Sequence, residues 1–423
     1  MKKMIIALIG LGTVGSSVAR ILHNSSQRIF QRAGVEIVIK RAVVRDSKKY
    51  HGYNFLISED INDILLDNEI DVVVELIGGI DYPFEIAKKV FSQEKAFVTA
   101  NKAMLAYYAK DLLELSRGLP FGFEASVCGG IPVIEILRDS LVANEFFGFE
   151  GIFNGTSNYI LSQMFQEKQS FDQALKSAQE LGYAEADPSL DINGGDAGHK
   201  LLILAKLAYG IDAKPEDILI EGIEGIDWED LHFADELGYA VKLLGIAKKE
   251  ENDLDLRLHL ALISKKQPLA QVNGVKNAIN FQGDFVGDIF MSGFGAGGDA
   301  TASAVVADLV HMARLRNVSS YPCPPFGFFD IGNAPSIRPK GKIISQYYLR
   351  FVVKDCQGIL AQITSILADF GISVNEILQK SSGTEAKIFL ITHTIEEEKI
   401  LFALEKIQEL NHLLQAPYKI RMQ

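Results

Sequence analysis

The stretch INGGDAGHKLLILAK, Ile192 to Lys206, joins a Gly-Gly turn to a run whose body, Leu201 to Ala205, is wholly apolar. Asp196 and Lys200 stand in its first turn, four residues apart, so a helix would point carboxylate and ammonium the same way. Taken alone, such a pair reads first as an ordinary solvated contact worth little. At a cleft it could instead hold a polar substrate and pass a proton. Just upstream, GYAEADPSLDINGGD packs Glu185, Asp187 and Asp191 ahead of Asp196. That is either a polar loop or a set of carboxylates gathered, with Lys200, around a cationic substrate group.

A second chemical signal opens the chain. IGLGTVGSSV places Gly10, Gly12 and Gly15 in G-x-G-x-x-G spacing, directly after an apolar run and at the start of a helical pattern. That context is the one a dinucleotide turn requires: Gly12 lets backbone N–H groups approach a pyrophosphate, and the helix N-terminus adds its positive end. At the end of the next strand, VVRDS offers Arg45 and Asp46 for the ribose. Arg45, with Lys48 and Lys49 near, suits a 2′-phosphate, so NADP is preferred over NAD; an exposed cluster of strand-end charges is the alternative. ELIGG (Glu75 to Gly79) and TANKAML (Thr99 to Leu105) fall at carboxyl ends of parallel strands, where open α/β sheets bind ligands, which makes Thr99 and Lys102 cofactor-cleft candidates. Cys128, before a Gly-Gly turn, lacks an adjacent histidine to activate it and reads as a buried small hydrophobe.

These groups need elements to hold them. Strand Lys3–Ile9, a helix from Thr13 to about Gln31, strand Glu36–Val44, apolar runs Asp71–Ile77 and Ala96–Thr99, and strand Phe121–Val127 form a Rossmann-type doubly wound parallel sheet. From Phe147 strands and helices segregate, the mark of an α+β catalytic domain, with strands expected at Leu256–Ile263, Lys276–Gln282 and Phe285–Met291. ATASAVVADLVHMARLRN from Ala300 is helical and is expected to fold back on the first domain. Five of the twelve prolines lie between Pro322 and Pro339, a linker. Beyond it the order is βαββαβ, ferredoxin-like, over Ile343–Val353, Ile359–Phe370, Ile372–Gln379, Ala386–Thr394, Glu396–Leu410 and Tyr418–Met422. The expected domains are 1–135, completed by about 300–320, then 136–299, a linker at 321–342, and 343–423.

The composition frames the partners. Among 423 residues, 48% are hydrophobic and 23% charged, and 42 Lys+Arg against 54 Asp+Glu leave −12. Nucleic acid and acidic membrane, which bind clustered Lys and Arg, are disfavoured, and a small molecule is expected. Three widely spaced cysteines point to a reducing, cytoplasmic setting, and eight scattered histidines argue against structural zinc. MKKMIIALIGLGTVGSSVA has the look of a signal peptide, but three glycines interrupt its apolar run, and a retained strand is the reading.

GLGTVG, ELIGG, TANK, FEASVCGGIPV, FNGTSNYIL, GYAEADP and GGDAGHK, in this order, closely resemble the bacterial homoserine dehydrogenases over about residues 1 to 320. LRFVVKDCQGILAQITSILADFGISVNEI resembles an ACT domain, an amino-acid-sensing module. The resemblance implies interconversion of L-homoserine and L-aspartate 4-semialdehyde with NADP or NAD, on the route to threonine and methionine. It implies Lys200 as acid/base, Lys102 as a second cleft lysine, Glu185 and Asp196 as carboxylates on homoserine, Gly182 at the cofactor, and Thr13 and Val14 at the phosphate turn. It further implies a monovalent cation such as sodium on the backbone carbonyls of Glu124, Val127, Gly129 and Ile131, a homodimer or homotetramer, and an amino-acid effector such as threonine near Asp355 to Leu360. The chain departs from the family pattern at His199, where arginine is usual, at Gly195 for leucine, and at Phe294 and Gln357 for proline. Two rivals are an acylating semialdehyde dehydrogenase using Cys128 and a non-catalytic amino-acid sensor.

Overall fold

The computed structural model describes residues 2–116, 118–315, 324–328 and 334–423. They cluster into two compact units, Met1–Phe149 with Asp196–Pro215 and Lys276–Pro335, and Glu150–Gly195 with Glu216–Val275 and Ser336–Gln423. Among the described residues, no helix is long and apolar enough to cross a membrane.

In the first unit, β1 (Lys3–Ile9), β2 (Glu36–Val43), β3 (Leu56–Ser58), β4 (Val72–Glu75), β5 (Ala96–Thr99) and β6 (Phe121–Gly122) form a parallel sheet in the order β3-β2-β1-β4-β5-β6. The order reverses between β1 and β4, and the carboxyl ends of those strands open the crevice that a doubly wound sheet offers a ligand. The single helix expected from Thr13 is two, Thr13–Asn24 and Ser26–Ala33, because Ser25 leaves helical geometry at φ −112 and ψ 17. The strand expected to reach Val127 stops at Gly122. A Cβ there would lie 2.7 Å from Asp308 Cγ, and the Asp308 carboxylate accepts the Glu124 N–H at 2.9 Å, which draws the chain into a 3-10 turn at Glu124–Ser126. Asp308 belongs to the helix Gly298–Leu315, whose Ala302, Val305 and Leu309 share one core with Val18, Leu22 and Val74.

The chain continues through β7 (Phe146–Ile152), β8 (Leu219–Ile220), β9 (Tyr239–Glu250), β10 (Asp253–Ser264), β11 (Lys276–Gly283) and β12 (Gly287–Phe294). β9 is a strand the sequence reading does not name. It pairs antiparallel with β10 from Asp253↔Glu250 to Ser264↔Tyr239. β12 begins at Gly287 rather than Phe285 because Asp284–Val286 make the hairpin turn, with the Asp284 carboxylate accepting the Phe285 N–H at 2.8 Å.

The last strands are β13 (Ser336–Ile337), β14 (Ile344–Lys354), β15 (Val374–Ser382), β16 (Glu385–Thr392), β17 (Ile395–Glu396) and β18 (Tyr418–Met422). Residues 316–323 and 329–333 of the proline-rich stretch and its approach lie outside the described residues; further on, β13 pairs in parallel with β10. The order β18-β14-β16-β15 is that of a ferredoxin-like sheet. Helices Ile359–Asp369 and Glu397–Gln408 bury Ile363, Leu367, Ile400 and Ile407 against Tyr347, Leu349 and Phe351 of β14. β18 also pairs in parallel with β10, so both belong to one continuous sheet within the second unit.

Candidate active site and cofactor crevice

Helix Gly195–Tyr209 is buried on all sides from Asp196 to Leu207, as its apolar body demands. A lysine and an aspartate on such a helix must satisfy one another or a ligand. Lys200 Nζ donates to Asp196 Oδ2 at 2.8 Å, with both side chains 9% exposed, so the reading of a solvated surface pair does not hold. The other carboxylate oxygen, Asp196 Oδ1, lies 3.0 Å from the Nζ of Lys102, the first residue of the helix Lys102–Ser116. One carboxylate thus bridges two ammonium groups. Lys102 is 42% exposed, so the cluster meets solvent on its side. His199, in place of the usual arginine, sets its ring edge-on to Tyr107 at 6.0 Å.

The helix start at Lys102 is fixed by groups at the ends of β4 and β5, of which Thr99 is a cofactor-cleft candidate from the sequence while Glu75 and Asn101, within ELIGG and TANK, have no role assigned there. Glu75, fully buried, accepts the Thr99 hydroxyl at 2.5 Å and the Ile77 N–H at 2.7 Å. Asn101 donates its amide to the carbonyls of Ile77 and Gly79 and accepts the Met104 N–H at 3.0 Å, capping the helix that begins at Lys102. Burial raises the Glu75 carboxyl to about 7 against the lowering pull of its hydrogen-bond donors. A buried acid in a strand-end motif is the signal that could have found it.

The glycine-rich turn fits a dinucleotide. Gly10 has φ +99, and a Cβ on Gly15 would lie 2.2 Å from the Gly10 carbonyl oxygen, so both positions require glycine. A Cβ on Gly12 would meet nothing within 4 Å: this face of the turn is open where a pyrophosphate has to come close. Thr13 is exposed and Val14 half-buried at the first helical turn, and Thr99 is fully buried. Arg45 is exposed, while Asp46 is committed to its own turn, accepting the Lys48 N–H at 3.2 Å.

In the second unit, Glu185 is exposed, and its carbonyl accepts the Gln179 amide at 3.2 Å. Gly182 lies in an exposed turn at φ +75. Asp191, one of the four acids gathered in this stretch of sequence, is tied into the fold. It accepts Asn154 Nδ2 at 2.6 Å, and its carbonyl takes the Ser157 hydroxyl at 2.8 Å. At Gly195, where leucine is usual, a Cβ would lie 3.0 Å from Leu190 Cδ2 and 3.1 Å from Asn193 Oδ1, both side-chain ends.

The segment carrying Glu124, Val127, Gly129 and Ile131 is buried and irregular, with Cys128 at φ +55 and Gly129 at φ +50. Glu124 directs its carboxyl away to the N–H groups of Ile134 and Glu135, at 2.9 and 2.7 Å. Gly129 abuts Gly295, and the Gly130 N–H donates to the Phe294 carbonyl at 3.1 Å; the Phe294 side chain, in place of the usual proline, is exposed. Burial pushes the Cys128 thiol up to about 11, which removes the thiolate an acylating enzyme needs.

Three family models match the chain: the homoserine dehydrogenase NAD-binding domain over residues 10–119, homoserine dehydrogenase over 132–310, and the ACT domain over 347–412. A homoserine dehydrogenase of Helicobacter pylori is 51% identical, over 100% of this chain and 99% of that protein. One of Pseudomonas aeruginosa is 39% identical, over 100% and 99%. The crystal structure of a homoserine dehydrogenase from Thiobacillus denitrificans matches with a TM-score of 0.93 at 40% identity, covering 100% of this chain and 99% of that one. A hyperthermophilic archaeal homoserine dehydrogenase mutant in complex with NADPH matches at 0.62 and 28%, over 74% of this chain and 98% of its own.

Proposed function

Since the chain belongs to the homoserine dehydrogenase family, NAD(P)-dependent oxidoreductases acting on a CH–OH group, we propose that Lys200 is the acid/base of that reaction, converting L-homoserine to L-aspartate 4-semialdehyde and back. The observation that carries this reading is the Asp196 carboxylate held between Lys200 and Lys102. NAD(P), when bound at the glycine-rich turn, would supply the hydride acceptor or donor for this reaction. The Lys200 amine takes the hydroxyl proton in oxidation and gives it back in reduction, a role worth roughly 10²- to 10⁴-fold in rate. Lys102 adds positive charge where the alkoxide develops. Asp196 keeps both amines oriented and, with Glu185, receives the substrate ammonium.

Gly10, Gly12, Thr13, Val14 and Gly15 hold the pyrophosphate, and Thr99, Lys102 and Gly182 border the rest of the cofactor. NADP is the preferred form: Arg45 is free of the turn that occupies Asp46 and carries the charge a 2′-phosphate needs. The carbonyls of Glu124, Val127, Gly129 and Ile131, on one buried irregular segment, hold a monovalent cation such as sodium; the Ile131 carbonyl also accepts the Val133 N–H at 2.8 Å. The ACT domain answers to an amino acid such as threonine at the turn Asp355–Leu360, where Gly358 takes φ +86. A cytoplasmic homodimer or homotetramer supplying threonine and methionine synthesis completes the reading.

The test is homoserine-dependent reduction of NADP and NAD by the wild-type enzyme and by Lys102→Ala. Loss of kcat is expected, with a smaller rise in the NADP KM because Lys102 also borders the cofactor. Unchanged turnover in Lys102→Ala would remove it from the site.

A further inference from the structure

The C-terminal strand reaches toward the substrate turn through one carboxylate. Arg421 of β18, 1% exposed, donates Nη1 to Glu221 Oε2 at 2.6 Å and Nη2 to Glu221 Oε1 at 3.1 Å. The same guanidinium is locked from behind by Glu397, through Nε at 2.8 Å and Nη2 at 2.6 Å. Lys419 closes the cluster, 3.0 Å from Glu221 and 3.1 Å from Glu397. Burial alone would raise the Glu221 carboxyl, but the Arg421 and Lys419 charges override it and hold it well below the usual carboxylate range. β18 is not loosely hung: it is a paired strand of the sheet beside β10. Its neighbour β14 is fastened to the helix Trp228–Glu236 by the Tyr348 hydroxyl and Arg350, 2.5 and 3.0 Å from Asp230.

Glu221 is followed at once by backbone that packs on the substrate turn. A Cβ on Gly222 would lie 1.9 Å from the Ile192 carbonyl oxygen and 2.6 Å from Asn193 Cα. The Ile223 N–H donates to that same carbonyl at 2.9 Å, and a Cβ on Gly194 would stand 3.2 Å from the Glu221 carbonyl oxygen. The Glu221 N–H is itself pinned to the Leu258 carbonyl of β10 at 2.8 Å. Residues 221–223 are therefore a tight backing for Ile192–Gly194, and the next residues are Gly195 and Asp196, the start of the helix that bears Lys200.

We propose that Glu221 is a positioning residue for homoserine, through which Lys419 and Arg421 of the ACT domain set the backbone of the Ile192–Gly195 turn. This rests on the reading of Asp196 as a substrate carboxylate. The ACT domain is then part of the catalytic architecture in every turnover, not an appendage consulted only when an effector binds.

The test uses the full-length enzyme. Glu221→Gln keeps the shape and removes the charge, and Lys419→Met removes one partner from the edge of the cluster. KM for homoserine, KM for NADP, kcat and Tm are measured for both and for the double variant. Each single variant is expected to raise the homoserine KM about fivefold or more while the NADP KM moves less than about twofold, and the double variant to be no worse than the worse single one, the mark of residues acting as a unit. A lower Tm with both KM values unchanged, or fully additive effects, would overturn the proposal. If Glu221→Gln does not fold, Lys419→Met alone reads the same KM split. Asp196→Asn is measured alongside. Should it alone disturb homoserine KM, the inference about Glu221 fails by itself; should it keep wild-type kinetics, the reading of the substrate site beneath it fails.

Discussion

Lys200 Nζ sits 2.8 Å from Asp196 Oδ2, one helical turn away, and both side chains are all but sealed from solvent. A pair of this kind is not held for stability, because desolvating two charges costs about what their attraction returns. What it provides is an amine of fixed direction. Replacing Asp196 by Asn should leave two ammonium groups facing a neutral amide. The expected result is a fall in kcat/KM of ~10²-fold or more together with a loss of about 3 kcal/mol in stability, read by steady-state kinetics and denaturant unfolding.

Arg45 should decide between the cofactors. Arg45→Ala is expected to raise the NADP KM about tenfold or more, the scale of one charge-assisted contact, while the NAD KM hardly changes. Equal losses for both would place Arg45 away from the ribose.

Cys128 should be chemically silent. With its thiol pushed up to about 11 and the side chain fully buried, native enzyme should resist alkylation near neutral pH, and Cys128→Ser should retain most turnover. Abolished activity in that variant, with a requirement for phosphate, would restore the acylating rival.

Glu75 should leave a mark on the pH dependence of stability. Its carboxyl is raised in the fold from an ordinary 4.5 to about 7, so the protonated form is the one the fold favours. Its contribution is complete below about pH 4.5 and is lost as pH rises through 7. Between those limits wild-type Tm should decline more steeply than that of Glu75→Gln, and parallel curves would contradict the assignment.

Much of this architecture can be read from the chain. β1, β5 and β18 have the bounds their apolar runs announce. The glycine-rich turn and the Asp196–Lys200 pair are local features, and local spacing reveals them. β9 is harder: YAVKLLGIAKKE mixes lysines into an apolar run, and Lys242 is buried only because Asn158, Val272 and Asn273 receive its ammonium. The truncation of β6 depends on Asp308, far along the chain, and the clasp of Glu75 on Thr99 joins two strands. The pairing of β18 with β10 is equally nonlocal. Such partners are set by tertiary packing, which periodicity does not encode.

The decisive measurement is turnover by Lys200→Ala, with homoserine and NADP binding determined by calorimetry on the same preparation. The account expects kcat to fall by roughly 10²- to 10⁴-fold while both dissociation constants stay near wild type. A variant that binds and turns over like wild type would show that the proton passes elsewhere.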